Sequence, residues 1–226
     1  MKWFLRYITD TVGQKQVMAV TGIFLCVFLL IHSLGNTLIL MGQEAYDHYS
    51  HALIHSPIVW PTRIGLFLFL VFHVFLAIKV SLENNAARGT KYHAGLKRNG
   101  KGNIASKTMI WTGIGVVIWV GWHILTFSAL PVSEYKWVNF GGVEMRDIHT
   151  EVMTFFASPI NAGLYVVGSL LAGTHAFHAL QSAFQTLGAY HRVFTNGVET
   201  VSKAFGLFVF LCFSTFPIFG YLSVTL

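Results

Sequence analysis

Eleven histidines occur in this chain, and five of them, His32, His73, His123, His175 and His178, fall inside long apolar stretches. An ionisable side chain in such surroundings is costly and faces the interior of a helix bundle, where it meets a partner. The stretch "GTHAFHALQSAFQ", residues 173–185, carries two of the five, three positions apart. Taken singly, each could be a hydrogen-bonded packing residue. Spread over four separate apolar stretches, they point to a common task. Neutral imidazole binds metals and relays protons, and both chemistries are open at this level.

The elements that must position these groups are legible from composition. The chain has 226 residues, of which 54% are hydrophobic, 15% aromatic and only 11% charged, with a mean hydropathy of +0.59. A soluble domain usually carries about 25% charge. Five apolar runs, 17–41, 62–82, 107–130, 158–185 and 204–224, each reach the ~20 residues that cross a bilayer as a helix. They lack the alternation of barrel strands, and lipid admits only helices or closed barrels. The expected fold is all-α: a polytopic membrane protein with five transmembrane helices in a bundle, residues 1–226 forming a single integral domain. The loops are too short to fold into a catalytic domain, and no internal repeat is evident, which weighs against an inverted-repeat transporter.

The opening "MKWFLRYITDTVGQKQ" is basic but has no compact apolar core with a cleavage site, and reads as a lead into the first span. With this end inside, the inner segments hold twelve Lys and Arg, and the outer ones only Arg63, Lys136 and Arg146. That bias predicts a cytoplasmic N-terminus and an external C-terminus. The net charge of +6 thus follows topology and argues against a nucleic-acid partner. The inner loop 84–107 is basic enough to meet anionic lipid or an acidic partner surface, or is plain topogenic charge. Cys26 and Cys212 lie within spans and form no C-x-x-C-H, so covalent c-type haem attachment is excluded.

Depth predicts how the histidines pair. His32, in an outward-running span, sits about 22 Å from the inner end, and His123, also outward, about 24 Å. In the inward-running spans His73 and His175 lie about 14–16 Å from that end. His178 lies about 4–5 Å deeper still. Two levels of facing imidazoles suit two bis-histidine haems, whose second axial ligand leaves no open position for oxygen, so that they pass electrons. A zinc site would want three or four ligands at one depth. Gly35, Gly65, Gly115 and Gly168 each share a helix face with a histidine and could admit a porphyrin plane, although glycine also serves helix packing.

At these residues the chain resembles a known family. "TGIFLCVFLLIHSLGN", "FHVFLAIKVSLENNAAR", "GWHILTF" and "THAFHALQSAFQTLG" are similar to the diheme cytochrome b membrane anchor of succinate dehydrogenase and fumarate reductase, in its bacterial single-subunit, five-helix form. The resemblance implies two haem b groups in a bacterial cytoplasmic-membrane protein. It implies flavoprotein and iron–sulfur partners on the cytoplasmic side, and exchange of electrons with a membrane quinone of low potential, such as menaquinone. The dicarboxylate chemistry would belong to the partners, and this chain would contribute the quinone site. Carried over residue by residue, His73 and His175 ligate an inner haem and His32 and His123 an outer one, which leaves His178 to orient a neighbour or meet a haem edge. Some diheme fumarate reductases place an acid two residues before the fourth ligand, where Gly173 stands here.

Further groups fit supporting roles. Arg88, Ser106, Lys107, Gln181 and Arg192 lie near the inner end and could hold haem propionates, or anchor the helices at the interface. The outer stretch 43–61 supplies Glu44, Asp47, His48, His51, His55 and Trp60 as donors and proton carriers for a quinone, or is a solvated polar loop. A second function class remains beside the haem reading: a histidine-relay proton or solute transporter, or a channel, without haem.

Overall fold

The computed structural model describes residues 7, 9–86, 104–129, 131–189, 191 and 193–225, with the side chains of residues 85, 104–107 and 225 left aside. Helix α1 (Thr11–Asn36) runs on through a 3-10 turn, Thr37–Met41, and Gly42, at φ 103°, breaks it. Helices α2 (Gln43–His55), α3 (Val59–Ala86) and α4 (Ile104–Phe127) follow. A 3-10 turn (Val132–Glu134), strands β1 (Trp137–Phe140) and β2 (Val143–Arg146), and α5 (Ile148–Phe156) lead to α6 (Pro159–Thr186) and α7 (Thr195–Thr225).

Among the described residues five helices are long and apolar enough to cross a membrane: Thr11–Met41, Val59–Asn84, Thr108–Phe127, Pro159–Thr186 and Thr195–Val224. They match the five apolar runs, and the chain is an all-α, multi-pass membrane protein. Its outward faces are lined by side chains such as Phe67, Trp111, Ile118 and Leu125, the surface that lipid solvates without a hydrophobic penalty.

The two outer segments between spans have structure of their own. Residues 43–55 form α2, and the stretch after α4 folds into a hairpin and α5. In the hairpin Phe140 pairs with Val143 and Trp137 with Arg146, around Gly141 and Gly142 at φ 58° and 88°. A two-residue turn with both φ values positive matches strand twist and suits glycine. Asp147 caps α5 by accepting from the Thr150 N–H at 2.9 Å. Arg146 grips both Glu151 carboxylate oxygens, at 3.1 and 3.2 Å from Nε, and lies 3.8 Å over the Tyr135 ring. Ser158 and Pro159 then open α6, with serine at the N-cap and proline at the first helical position.

Around the bundle α3 packs on α1, α1 on α6, and α6 on α4, while α7 lies along α6 and also touches α1 and α5. Neither α1 with α4 nor α3 with α6 packs extensively through its backbone. These two are the diagonals of the four-helix arrangement. The α6–α7 seam is the tightest crossing: a Cβ on Gly173 would lie 2.6 Å from the Gly206 carbonyl oxygen, and a Cβ on Gly206 2.6 Å from that of Gly173. Small residues at such a crossing let membrane helices approach closely.

Candidate functional site

The two diagonals are where the histidines meet. His32 of α1 faces His123 of α4, with ring centroids 6.0 Å apart and planes at 80°. His73 of α3 faces His175 of α6 at 6.5 Å and 84°. The His73–His175 level lies toward the N-terminal end of α1, and the His32–His123 level toward the end capped by α2, the hairpin and α5. Pairs inferred from helical rise are thus the pairs that stand opposite one another, with crossed ring planes.

At the first level both rings are held from behind. His73 Nδ1 lies 3.1 Å from the Met18 carbonyl oxygen and 3.3 Å from Thr21 Oγ1. His175 Nδ1 lies 3.2 Å from Thr112 Oγ1, and the His175 ring is also hydrogen-bonded to the Met109 backbone. A Cβ on Gly22 would come 3.1 Å from His73 Cε1, and one on Gly113 would come 3.1 Å from His175 Cε1. At the second level His123 Nδ1 is 3.3 Å from the Tyr165 hydroxyl, while the His32 ring stacks on Phe28 at 5.1 Å and meets Phe213 at 5.8 Å.

This geometry fits an iron held by two axial imidazoles. Bonds of about 2.0 Å on each side, with each ring centroid about 1.15 Å beyond its nitrogen, call for centroids about 6.3 Å apart. The observed 6.0 and 6.5 Å bracket that spacing. A ligating histidine engages its other ring nitrogen with a carbonyl or similar partner, as three of the four do here. Among the described residues no three His, Cys, Asp or Glu gather to hold a metal ion, so a zinc-type ligand set is not assembled at either level. A haem asks the protein for two axial ligands, its macrocycle filling the other four positions.

None of the four glycines singled out from sequence has an imidazole among the nearest neighbours of a Cβ built on it. Gly35 faces Tyr49, Gly115 faces Leu171, Gly168 packs on Trp119, and nothing lies within 4 Å of a Cβ built on Gly65. Gly22 and Gly113 are the ones against imidazoles. They belong to a repeat that linear inspection passes over: Met18, Thr21, Gly22, Ile23 and His32 recur as Met109, Thr112, Gly113, Ile114 and His123 with identical spacing. Because α1 and α4 run in the same direction, the repeat is parallel rather than inverted.

His178, expected to orient a neighbour or meet a haem edge, lies one turn along α6 from His175. Its half-buried ring stacks on Phe177 at 4.2 Å and lines a groove between α6 and α7 with Thr174 and Lys203. Gln181 is half-buried on α6. Arg88 and Arg192 lie outside the described residues, and Ser106 and Lys107 are described only as backbone in the first turn of α4.

The expected quinone cluster does not close into a slot. Glu44, His48, His51 and His55 form one outer stripe along α2, where His48 is 4.0 Å from Glu44 and the His51 and His55 rings stack at 4.0 Å. Trp60 is 65% exposed, with Arg63 above it at 5.4 Å. The helical spacing of the four α2 residues turns them away from the bundle. Asp47, on the flank of that stripe, is instead fully buried, accepting from the His149 N–H at 2.9 Å. Burial pushes its carboxyl up to about 6; the His149 N–H opposes this and the nearby Asp147 charge adds to it. At the same end a hollow of about 270 Å³ is lined by Thr126, Phe127, Lys136, Glu151 and Phe155, and the Phe127 ring lies 5.5 Å from that of His123.

Comparison with protein-family models, curated proteins and solved structures returned no match.

Proposed function

We propose that this chain is a membrane-anchor cytochrome b that carries electrons between an iron–sulfur partner and a membrane quinone through two haem b groups. His73 and His175 would hold one and His32 and His123 the other, as in the anchors of succinate dehydrogenase and fumarate reductase. The observation that carries this reading is the pair of diagonal histidine contacts at 6.0 and 6.5 Å. A bis-imidazole haem supplies one-electron transfer without oxygen binding. The chain's own residues fix the imidazoles and hold them at two heights.

The hollow beside Phe127 suits the quinone better than the α2 stripe does. It offers aromatic walls, the hydroxyl of Thr126, the ammonium of Lys136 and the carboxylate of Glu151, and one aromatic ring separates it from His123. The iron–sulfur partner would dock at the opposite end, nearest the His73–His175 level.

The test is anaerobic. Purified chain reduced with dithionite should show b-type bands and be reoxidised by a soluble menaquinone analogue. Thr126→Phe, which fills the hollow, should slow that reoxidation while keeping the bands. A haem-free chain that passes protons in liposomes would overturn the proposal in favour of a histidine relay.

A further inference from the structure

The Thr–Gly steps repeated in α1 and α4 hold more than helix geometry, and their hydrogen bonds fix a direction. Thr21 Oγ1 lies 2.9 Å from the Val17 carbonyl oxygen and 3.0 Å from that of Met18. Its single proton is therefore spent on its own helix. Toward His73 Nδ1, at 3.3 Å, the hydroxyl can only accept. The Met18 carbonyl, the other neighbour of that nitrogen, also only accepts. Nδ1 of His73 must then carry the proton, which leaves Nε2 with a bare lone pair.

The same logic holds one repeat later. Thr112 Oγ1 lies 3.2 Å from the Thr108 carbonyl oxygen and 3.1 Å from that of Met109, so toward His175 Nδ1 at 3.2 Å it accepts. Gly22 and Gly113 let each ring lie close against the helix that carries its threonine. Two equivalent shelves thus grip two rings that stand at 84° to one another. The second level lacks this device: His123 has the Tyr165 hydroxyl, and His32 has ring stacking.

We propose that Thr21 and Thr112 are paired positioning residues: with the Met18 and Met109 carbonyls they set the tautomer of His73 and His175 and lock their planes crossed, so that both Nε2 atoms face one iron. This assignment rests on the haem reading for its purpose, yet the tautomer is a property of the chain itself.

Two measurements separate the claims. Nitrogen-15 NMR of histidine-labelled, haem-free protein should show the Nδ1–H tautomer at His73 and His175 in the native chain. In Thr21→Val/Thr112→Val those two resonances should shift toward a tautomer mixture, with Thr21→Ser/Thr112→Ser restoring the native pattern. In the haem-loaded ferric protein, crossed axial planes give a strongly anisotropic low-spin EPR signal. The double Val variant should lose that character in one of the two signals and bind that haem roughly ten- to hundredfold more weakly, as removal of a ligand's outer partner does. The signal of the His32–His123 level should not move. Unchanged tautomers together with unchanged EPR signals in the double Val variant would overturn the proposal. A native chain with the expected tautomers that binds no haem would instead overturn the proposed function.

Discussion

Gly173→Ala probes how the bundle sets the gap between His73 and His175. The added Cβ would lie 2.6 Å from the Gly206 carbonyl oxygen, 3.2 Å from the Phe210 backbone nitrogen and 3.0 Å from Phe210 Cβ. None of these three atoms can swing aside on a flexible side chain. Ordinary contact at about 3.4 Å would need the helices to separate by about 0.8 Å, because packed interiors have no slack to absorb it. Gly173 and His175 point about 200° apart around α6, so α6 moving off α7 drives His175 toward α3. The centroid spacing of 6.5 Å would shrink to about 5.7 Å, well short of the roughly 6.3 Å required, whereas metal–ligand distances tolerate about 0.2 Å. Overpacking of this kind costs about 1–3 kcal/mol, which a folded bundle survives. Haem content per chain, measured on detergent-purified protein, should fall from two to one, with a residual spectrum matching that of His73→Ala. Retention of both haems with unshifted bands would refute the reasoning, showing that α7 yields instead and that the crossing does not set the gap.

Three other outcomes are expected. Tyr165→Phe removes the partner of His123 Nδ1 and should weaken haem binding at the His32–His123 level about ten- to hundredfold, read by haem titration, while the other level keeps its affinity. His178→Ala should retain both haems in the same assay, because that ring faces the α6–α7 groove. Asp47 should make stability depend on pH: its folded value of about 6 lies above the ordinary carboxyl value of 3.8, so the folded chain binds the proton more tightly. Its ionisation therefore costs stability in full above about pH 6, and that cost fades as pH falls toward about 4. In thermal melts across this window the native chain should lose Tm with rising pH more steeply than Asp47→Asn, and equal slopes would remove Asp47 as the cause.

The spans were legible because crossing lipid leaves a mark no soluble helix needs, some twenty apolar residues. Their histidines paired correctly on paper because helical rise converts sequence position into height. Height says nothing of azimuth: that Gly22 and Gly113 are the glycines set against imidazoles depends on how the helices cross. The repeat of Met18, Thr21, Gly22 and His32 at Met109, Thr112, Gly113 and His123 would have identified Gly22 and Gly113, but five matching residues scattered over a helix are faint among so many apolar neighbours. For α2, a stripe of Glu44, His48, His51 and His55 carries helical spacing without apolar contrast, so it reads as a loop. The hairpin signal, Gly141-Gly142 between alternating residues, was present in the chain and outweighed by its surroundings.

The central claim is that two irons are held on the two diagonals, and haem stoichiometry across the four single histidine variants tests it most directly. Native protein should carry two haem b per chain. His73→Ala and His175→Ala should each leave one haem with the same spectrum, His32→Ala and His123→Ala should each leave the other, and the His73→Ala/His175→Ala double variant should still hold one. Any pair that mixes levels, such as His73→Ala and His32→Ala leaving the same haem, or native chain purified from haem-replete cells with none, would contradict the account.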